Sequence, residues 1–149
     1  MRIRRAALPD IPQLLVLVRR YWEFEGLTHF SALQVELVLK HLVANESAGA
    51  VWVAEEGAGL AGYLILVFVV SVEHGGLMAE IDELYVCEGQ RTQGTGGKLL
   101  AACEEELRRR GCVRLQLQIA LANEAARGFY ARRGFGHRAG YTLLDKPLN

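Results

Sequence analysis

The sequence predicts a single α/β domain, α+β in its detail, spanning residues 1–149, and three observations carry that expectation. Apolar residues recur with helical spacing at Ile11, Leu14, Leu15 and Val18. They alternate with polar ones at Val113, Leu115, Leu117 and Ile119, the two-residue period of a strand with one covered face. Between an apolar strand-like run and a helical one stand three glycines in four residues, Gly94, Gly96 and Gly97. A chain of 149 residues is long enough to bury its own core.

The elements follow in order. Residues 2–7 alternate weakly and suit a first strand. Pro9-Asp10 opens a helix that runs to Tyr21 or Trp22, and a second helix is expected from Ser31 to Ala44, with Leu33, Leu37 and Leu42 among its apolar positions. Ala50–Glu55 and Leu60–Val72 read as a hairpin around Glu56-Gly57-Ala58-Gly59, and Ile65–Val70, apolar throughout, predicts a strand covered on both faces. His74-Gly75-Gly76 marks a turn before a strand from Ala79 to Cys87. A helix over 97–110 carries Leu100, Cys103 and Leu107 on one stripe. Its Glu104–Glu106 stand four residues before Arg108–Arg110, a solvated face of i,i+4 pairs closed by Gly111. After the strand at 113–119, Asn123 begins a helix that Gly134 ends, and residues 135–145 predict a last strand or hairpin.

Composition excludes several classes. Basic and acidic side chains number 17 each, so a basic face for nucleic acid is not indicated. The longest apolar run, Leu60–Val72, is too short to span a bilayer and is interrupted by Gly62 and Ser71, and no apolar leader core follows the first charges; no membrane role and a cytoplasmic setting are expected. Three cysteines without a CxxC pair read as reduced structural thiols, and four scattered histidines predict no metal site.

The glycine segment is the chief chemical signal. A strand that empties into a glycine turn and then a helix aims backbone N–H groups and the helix dipole at one point, which suits a phosphate. A P-loop would need glycine where Thr92 stands and a hydroxyl where Leu99 stands. A dinucleotide fingerprint needs glycine at Leu99 and an acidic residue about 20 positions on, where Arg114–Gln118 lie. Neither motif fits.

Val86, then Arg91-Thr92-Gln93-Gly94-Thr95-Gly96-Gly97, resembles the acetyl-CoA pyrophosphate loop of the GNAT superfamily of N-acetyltransferases. Upstream, Glu83-Leu84-Tyr85-Val86 is similar to that family's cofactor-binding strand. Downstream, Asn123 through Ala126, Phe129-Tyr130 and Gly134-Phe135 resembles its second signature. The resemblance extends over nearly the whole chain. The resemblance implies a mixed, mostly antiparallel twisted sheet of six to seven strands with about four helices on both faces. It also implies acetyl-CoA as the acetyl donor, a small-molecule or peptide amine as acceptor, and a homodimer. Two departures are visible: Cys87-Glu88-Gly89-Gln90 lacks the usual proline, and Thr95 replaces an aliphatic residue between glycines.

Acetyl transfer from a thioester to an amine requires positioning, a route for the amine's proton, and a proton for the departing thiolate. By resemblance, backbone groups of Leu84, Tyr85 and Val86 hold the pantetheine arm, the Val86 N–H faces the thioester oxygen, and Thr92–Gly97 cradle the pyrophosphate. Asn123 reaches the pantetheine or simply caps its helix. Tyr130 falls on the position of the general acid, and a buried tyrosine of the core is its alternative. Glu80, Asp82 and Glu83 are the candidate bases, acting through a water, or else attract a cationic amine. Strict alternation puts Glu80 and Asp82 on one face and Glu83 on the other; a bulge would scramble that order. Glu23 and Glu25, beside Tyr21, Trp22 and Phe24, either meet the acceptor or form an ordinary helix end. The competing class is a non-catalytic acyl-CoA-binding or regulatory module, and a third reading keeps the fold with a longer acyl donor.

Overall fold

A computed structural model describes residues 1–148 of the chain. Its elements are β1 (Arg2–Arg5), α1 (Ile11–Glu25), α2 (Ala32–Ala44), β2 (Gly49–Glu56), β3 (Gly59–Ser71), β4 (Gly76–Val86), α3 (Thr95–Arg109), β5 (Arg114–Leu117) and α4 (Glu124–Ala131). Two compact units result, Met1–Leu117 and the described residues from Gln118 onward.

The first unit holds a five-stranded sheet in sequence order, antiparallel from β1 to β4 and parallel between β4 and β5. A two-residue turn at 57–58 joins β2 to β3 and a four-residue turn at 72–75 joins β3 to β4; Gly57 and Gly75 take positive φ there, at 61° and 70°. One face carries Val51, Val53, Tyr63, Ile65 and Tyr85, which pack with Ile11, Leu14, Leu17 and Val18 of α1 and Leu39 and Leu42 of α2. The opposite face carries Trp52, Leu64, Leu66 and Phe68 and is covered by α3. There Arg5 reaches Glu106 at 2.9 Å and lies over the Trp52 ring, while Arg110 lies over Phe68. Helices thus cover both faces, as expected.

Local chemistry sets the helix ends. The Ser31 hydroxyl accepts from the Gln34 N–H, Gly26 closes α1 at φ 69°, and Gly111 follows α3 at φ 72°. Arg108–Glu104 and Arg110–Glu106 form the predicted i,i+4 pairs, at 2.9 and 2.6 Å.

Five expectations need correction. The sheet has five strands rather than six or seven, because no strand follows β5 among the described residues and 135–145 form none. Val69 and Val70 are exposed, since β3 outruns the helices that cover its middle. Leu33 and Leu37 face solvent; α2 buries Leu42, as expected, and with it Leu39. β5 is shorter than 113–119 and lacks a fully buried face. α3 begins at Thr95, so Gly96 and Gly97 belong to its first turn.

Candidate active site

The sheet has two register shifts, one between β2 and β3 at Ala54/Glu55 and one between β3 and β4 among the carboxylates of β4. Ile65 of β3 lies opposite Glu83, but the next residue, Leu66, lies opposite Ile81, which leaves Asp82 as an inserted residue. The bulge changes which carboxylates share a face. Glu80 lies opposite Val67 and Glu83 opposite Ile65, so both stand on the side of β3 that meets α1 and α2. The alternation that separated Glu83 from Glu80 is thereby overturned.

Glu83 is held from two directions. Its Oε1 accepts from the Trp22 indole N–H at 2.9 Å, and its Oε2 accepts from the Tyr63 hydroxyl at 2.7 Å. Burial pushes the Glu83 carboxyl above the usual carboxylate range; the two donors pull it partway back, and the neighbouring Asp82 charge adds to the rise. Tyr63 is fully buried, and burial together with the adjacent Glu83 raises its hydroxyl as well. Asp82 is also raised, by burial and then by Glu80, although its surface is open to solvent and its desolvation is therefore partial. Glu80 accepts from the Gln116 amide at 2.8 Å. Tyr63 did not stand out as a site residue in the sequence, and Trp22 did so only among the aromatics beside Glu23 and Glu25. The available signal was a polar-tipped ring inside the apolar run Leu60–Val72.

Beyond the bulge, β4 turns part of its backbone outward. The Cys87 N–H donates to the Ala61 carbonyl at 2.8 Å, and Tyr63 lies opposite Tyr85. Successive residues of an antiparallel strand bond alternate sides. Glu83 and Tyr85 therefore bond β3, while Leu84 and Val86 direct their N–H and C=O groups the other way. On that side β5 pairs with β4 only as far as Ile81. The Val86 carbonyl accepts from Arg91 Nε at 3.0 Å, and the guanidinium stacks over the Phe24 and Tyr85 rings at 4.7 and 5.6 Å. Arg91 thus ties the turn after β4 to the end of α1.

The turn itself is built for exposed amides. Residues 88–90 form a 3₁₀ turn, Thr92 takes φ 66°, and Gly94 takes φ 80° to enter α3. No side chain caps α3 and its first turn holds no acid; the first intrahelical bond runs from the Lys98 N–H to the Gly94 carbonyl at 3.0 Å. Among the described residues no atom lies within 4 Å of where a Gly94 Cβ would stand. The amides of Thr95, Gly96 and Gly97 lie in the first turn of α3, where a helix offers them no acceptor of its own. Thr95 is buried, at 2 % exposure, and its hydroxyl lies 3.4 Å from the Gln90 carbonyl. That accounts for the aliphatic residue the family places here: the position faces the core, and the hydroxyl is satisfied within the turn. The Gln93 amide donates back to the Gly89 carbonyl.

In the second unit, the Asn123 Oδ1 accepts from the Ala126 N–H at 3.1 Å, which makes Asn123 the N-cap of α4. Tyr130 is buried, and its ring meets Phe129 and Phe135 edge-on at 5.0 and 5.3 Å. Cys87, Cys103 and Cys112 are free thiols; burial pushes Cys103 up to about 12. Among the described residues no group of His, Cys, Asp and Glu could hold a metal ion, and no helix is long and apolar enough to cross a membrane.

Comparison with known proteins agrees with this geometry. Residues 11–135 match the model of the acetyltransferase (GNAT) family. The chain is 30 % identical over 142 residues to the uncharacterized N-acetyltransferase YhfO of Bacillus subtilis (strain 168), covering 95 % of this chain and 93 % of that protein. An integron cassette protein from the mobile metagenome of Cole Harbour Salt Marsh superposes with a TM-score of 0.87 at 26 % identity, over 99 % of this chain and 90 % of its own. The aminoglycoside acetyltransferase meta-AAC0020, from an uncultured soil metagenomic sample, shares the fold with a TM-score of 0.80 at 20 % identity, over 99 % and 96 % of the two chains.

Proposed function

Because the chain belongs to the acetyltransferase (GNAT) family, we propose that it moves an acetyl group from acetyl-CoA to a primary amine by direct attack in a ternary complex. The observation that carries this reading is the continuous run from the outward-facing backbone of Leu84 and Val86 to the uncapped start of α3. When bound, acetyl-CoA supplies a thioester already reactive toward a neutral amine.

Each residue then has a definite task. Gly94 to Gly97 and Thr92 hold the pyrophosphate through backbone N–H groups, with Arg91 and Gln93 fixing the shape of the turn. Leu84 and Val86 offer strand-like bonds to the pantetheine, and the Val86 N–H donates to the carbonyl oxygen that gains charge. Tyr85 supports them from the core, and Asn123 adds a contact from α4. Glu83 is the base: it alone of the three carboxylates is held by two neutral donors, and burial raises it above the usual carboxylate range, which makes it a better proton acceptor. It receives the amine proton through a water as the C–N bond forms. Glu80 and Asp82 add negative charge that draws in an ammonium. Tyr130 gives its proton to the sulfur as the C–S bond breaks.

The acceptor is a small-molecule or peptide amine, and the whole chain serves as one acetyltransferase domain, working in the cytoplasm as a homodimer. Thiol release from acetyl-CoA across a panel of primary amines tests the reading: amine-dependent release supports it, and none with any amine overturns it. A concentration-independent species of 16.5 kDa in sedimentation would rule out the dimer.

A further inference from the structure

We propose that Tyr63 and Trp22 are positioning residues that hold Glu83 in place as the base. This rests on the function proposed above. Two elements that share no local sequence converge on one carboxylate, Tyr63 from β3 and Trp22 from α1, each on its own oxygen. The bulge at Asp82 is what brings Glu83 to that meeting point. Both donors are neutral, so they orient the carboxylate without cancelling the charge it needs to accept a proton. Each oxygen keeps one lone pair for a water or an amine.

Among the described residues the other groups around Glu83 add no cation in direct contact. Asp82 lies beside it on β4, and the Tyr85 and Tyr21 rings pack edge-on at 6.3 Å, with Tyr85 6.1 Å from Tyr63. Arg91 stacks over Tyr85 and bonds the Val86 carbonyl. Trp22 is itself set by an edge-on contact with Phe30 at 5.5 Å, and Arg19 lies over Phe30 at 5.0 Å. The base is thereby coupled to the α1–α2 connection through the Trp22 indole and its contact with Phe30.

Hydrogen bonds from Tyr63 and Trp22 favour the charged carboxylate, so removing either raises the pH at which Glu83 titrates, by about 1–2 pH units for a bond to a charged group. Two readouts test this. The first is the acidic limb of the kcat/KM profile, which should move up by that amount in Tyr63→Phe and Trp22→Phe. The second needs no acetyl-CoA. Emission from Trp22 responds to the charge on its partner, so the free protein carrying Trp52→Phe, in which Trp22 is the one remaining tryptophan, should show an emission titration that Glu83→Gln abolishes and Tyr63→Phe moves to higher pH. An unmoved emission midpoint in Tyr63→Phe overturns the clamp, as does an emission titration that persists in Glu83→Gln. A midpoint that moves while the acidic limb stays fixed supports the clamp but removes Glu83 as the base. Lower activity at every pH with both midpoints fixed leaves Tyr63 a packing residue and overturns the proposal.

Discussion

Gly62 sits where β3 passes closest to the outward-turning end of β4, and Gly62→Ala tests whether that approach is required. A Cβ there would stand 2.6 Å from the Tyr85 carbonyl oxygen and 3.3 Å from the Val86 Cα, about 0.8 Å short of the 3.4 Å at which ordinary contact begins. Both neighbours are backbone, so no side chain can swing aside; the ladder itself has to open. Overpacking of this kind costs about 1–3 kcal/mol. Gly59→Ala, in the same strand, is the control, because its Cβ would meet only the Gln13 side chain at 3.9 Å. Both changes remove the same backbone freedom from the unfolded chain, a gain of about 0.4–1 kcal/mol that cancels between them. At roughly 2–4 °C per kcal/mol for a chain of this size, Gly62→Ala should melt about 2–12 °C below Gly59→Ala. It should also lose stabilisation by acetyl-CoA, since the displaced residues carry the Leu84 and Val86 backbone. Equal melting temperatures in the two variants would refute the reasoning about close approach. A lower melting temperature with undiminished acetyl-CoA stabilisation would refute its link to the donor site.

Acetyl-CoA at a hundredfold excess over its Kd should stabilise the protein by about 2.7 kcal/mol in thermal unfolding, while ATP at the same concentration should not; Gly94→Val should abolish the shift. Tyr130→Phe should lower kcat about 10- to 1,000-fold with little change in acetyl-CoA affinity, measured by steady-state kinetics and calorimetry. Full turnover would make Tyr130 a core residue. Stability against pH should carry two opposite signatures. Asp10, lowered by its hydrogen bonds from Arg4, contributes stability that is lost as pH falls through its folded pKa, and Arg4→Met should remove that acid loss. Glu83 is raised, so the folded state binds the extra proton and stability falls as pH rises from the usual carboxylate range through the raised value; Glu83→Gln should flatten that fall.

Much of this was legible in the chain because local chemistry decided it. Ser31 caps the helix expected to begin there, Asn123 caps its helix as one of its two expected roles, and Gly57, Gly75 and Gly111 turn the backbone where they stand. The glycine turn before α3 was legible for the same reason, since its conformation is set within ten residues. What the sequence concealed depends on partners distant in the chain. Leu33 and Leu37 are as apolar as Leu42, and only the position of α1 and the sheet decides which of them is covered. The exposed end of β3 follows from its length relative to the helices, which no local window contains. Residues 135–145 show the reverse failure: Tyr141, Leu143 and Leu144 carry strand-like chemistry, yet no ladder forms among the described residues and their side chains are exposed.

The bulge shows why a carboxylate count could not choose the base. Glu80, Asp82 and Glu83 are equivalent in composition, and alternation sorts them into the wrong sets. One inserted residue sends Glu83 to the face where Tyr63 and Trp22 can donate, leaves Asp82 exposed, and leaves Glu80 to Gln116. The same insertion sets which residues past it bond β3 and which turn outward. Had β4 paired without it, Glu83 would lie opposite Leu64 on the α3 side and Leu84 and Val86 would exchange bonds with β3. A one-residue deletion at Asp82 would therefore displace the proposed base and the backbone donors together, a coupling that substitution of any single carboxylate cannot produce. The deletion variant should lose acetyl-CoA stabilisation and the Glu83-dependent emission titration at once, whereas Asp82→Asn should keep both. Loss of only one of them in the deletion would mean that the bulge governs the base and the donor site separately.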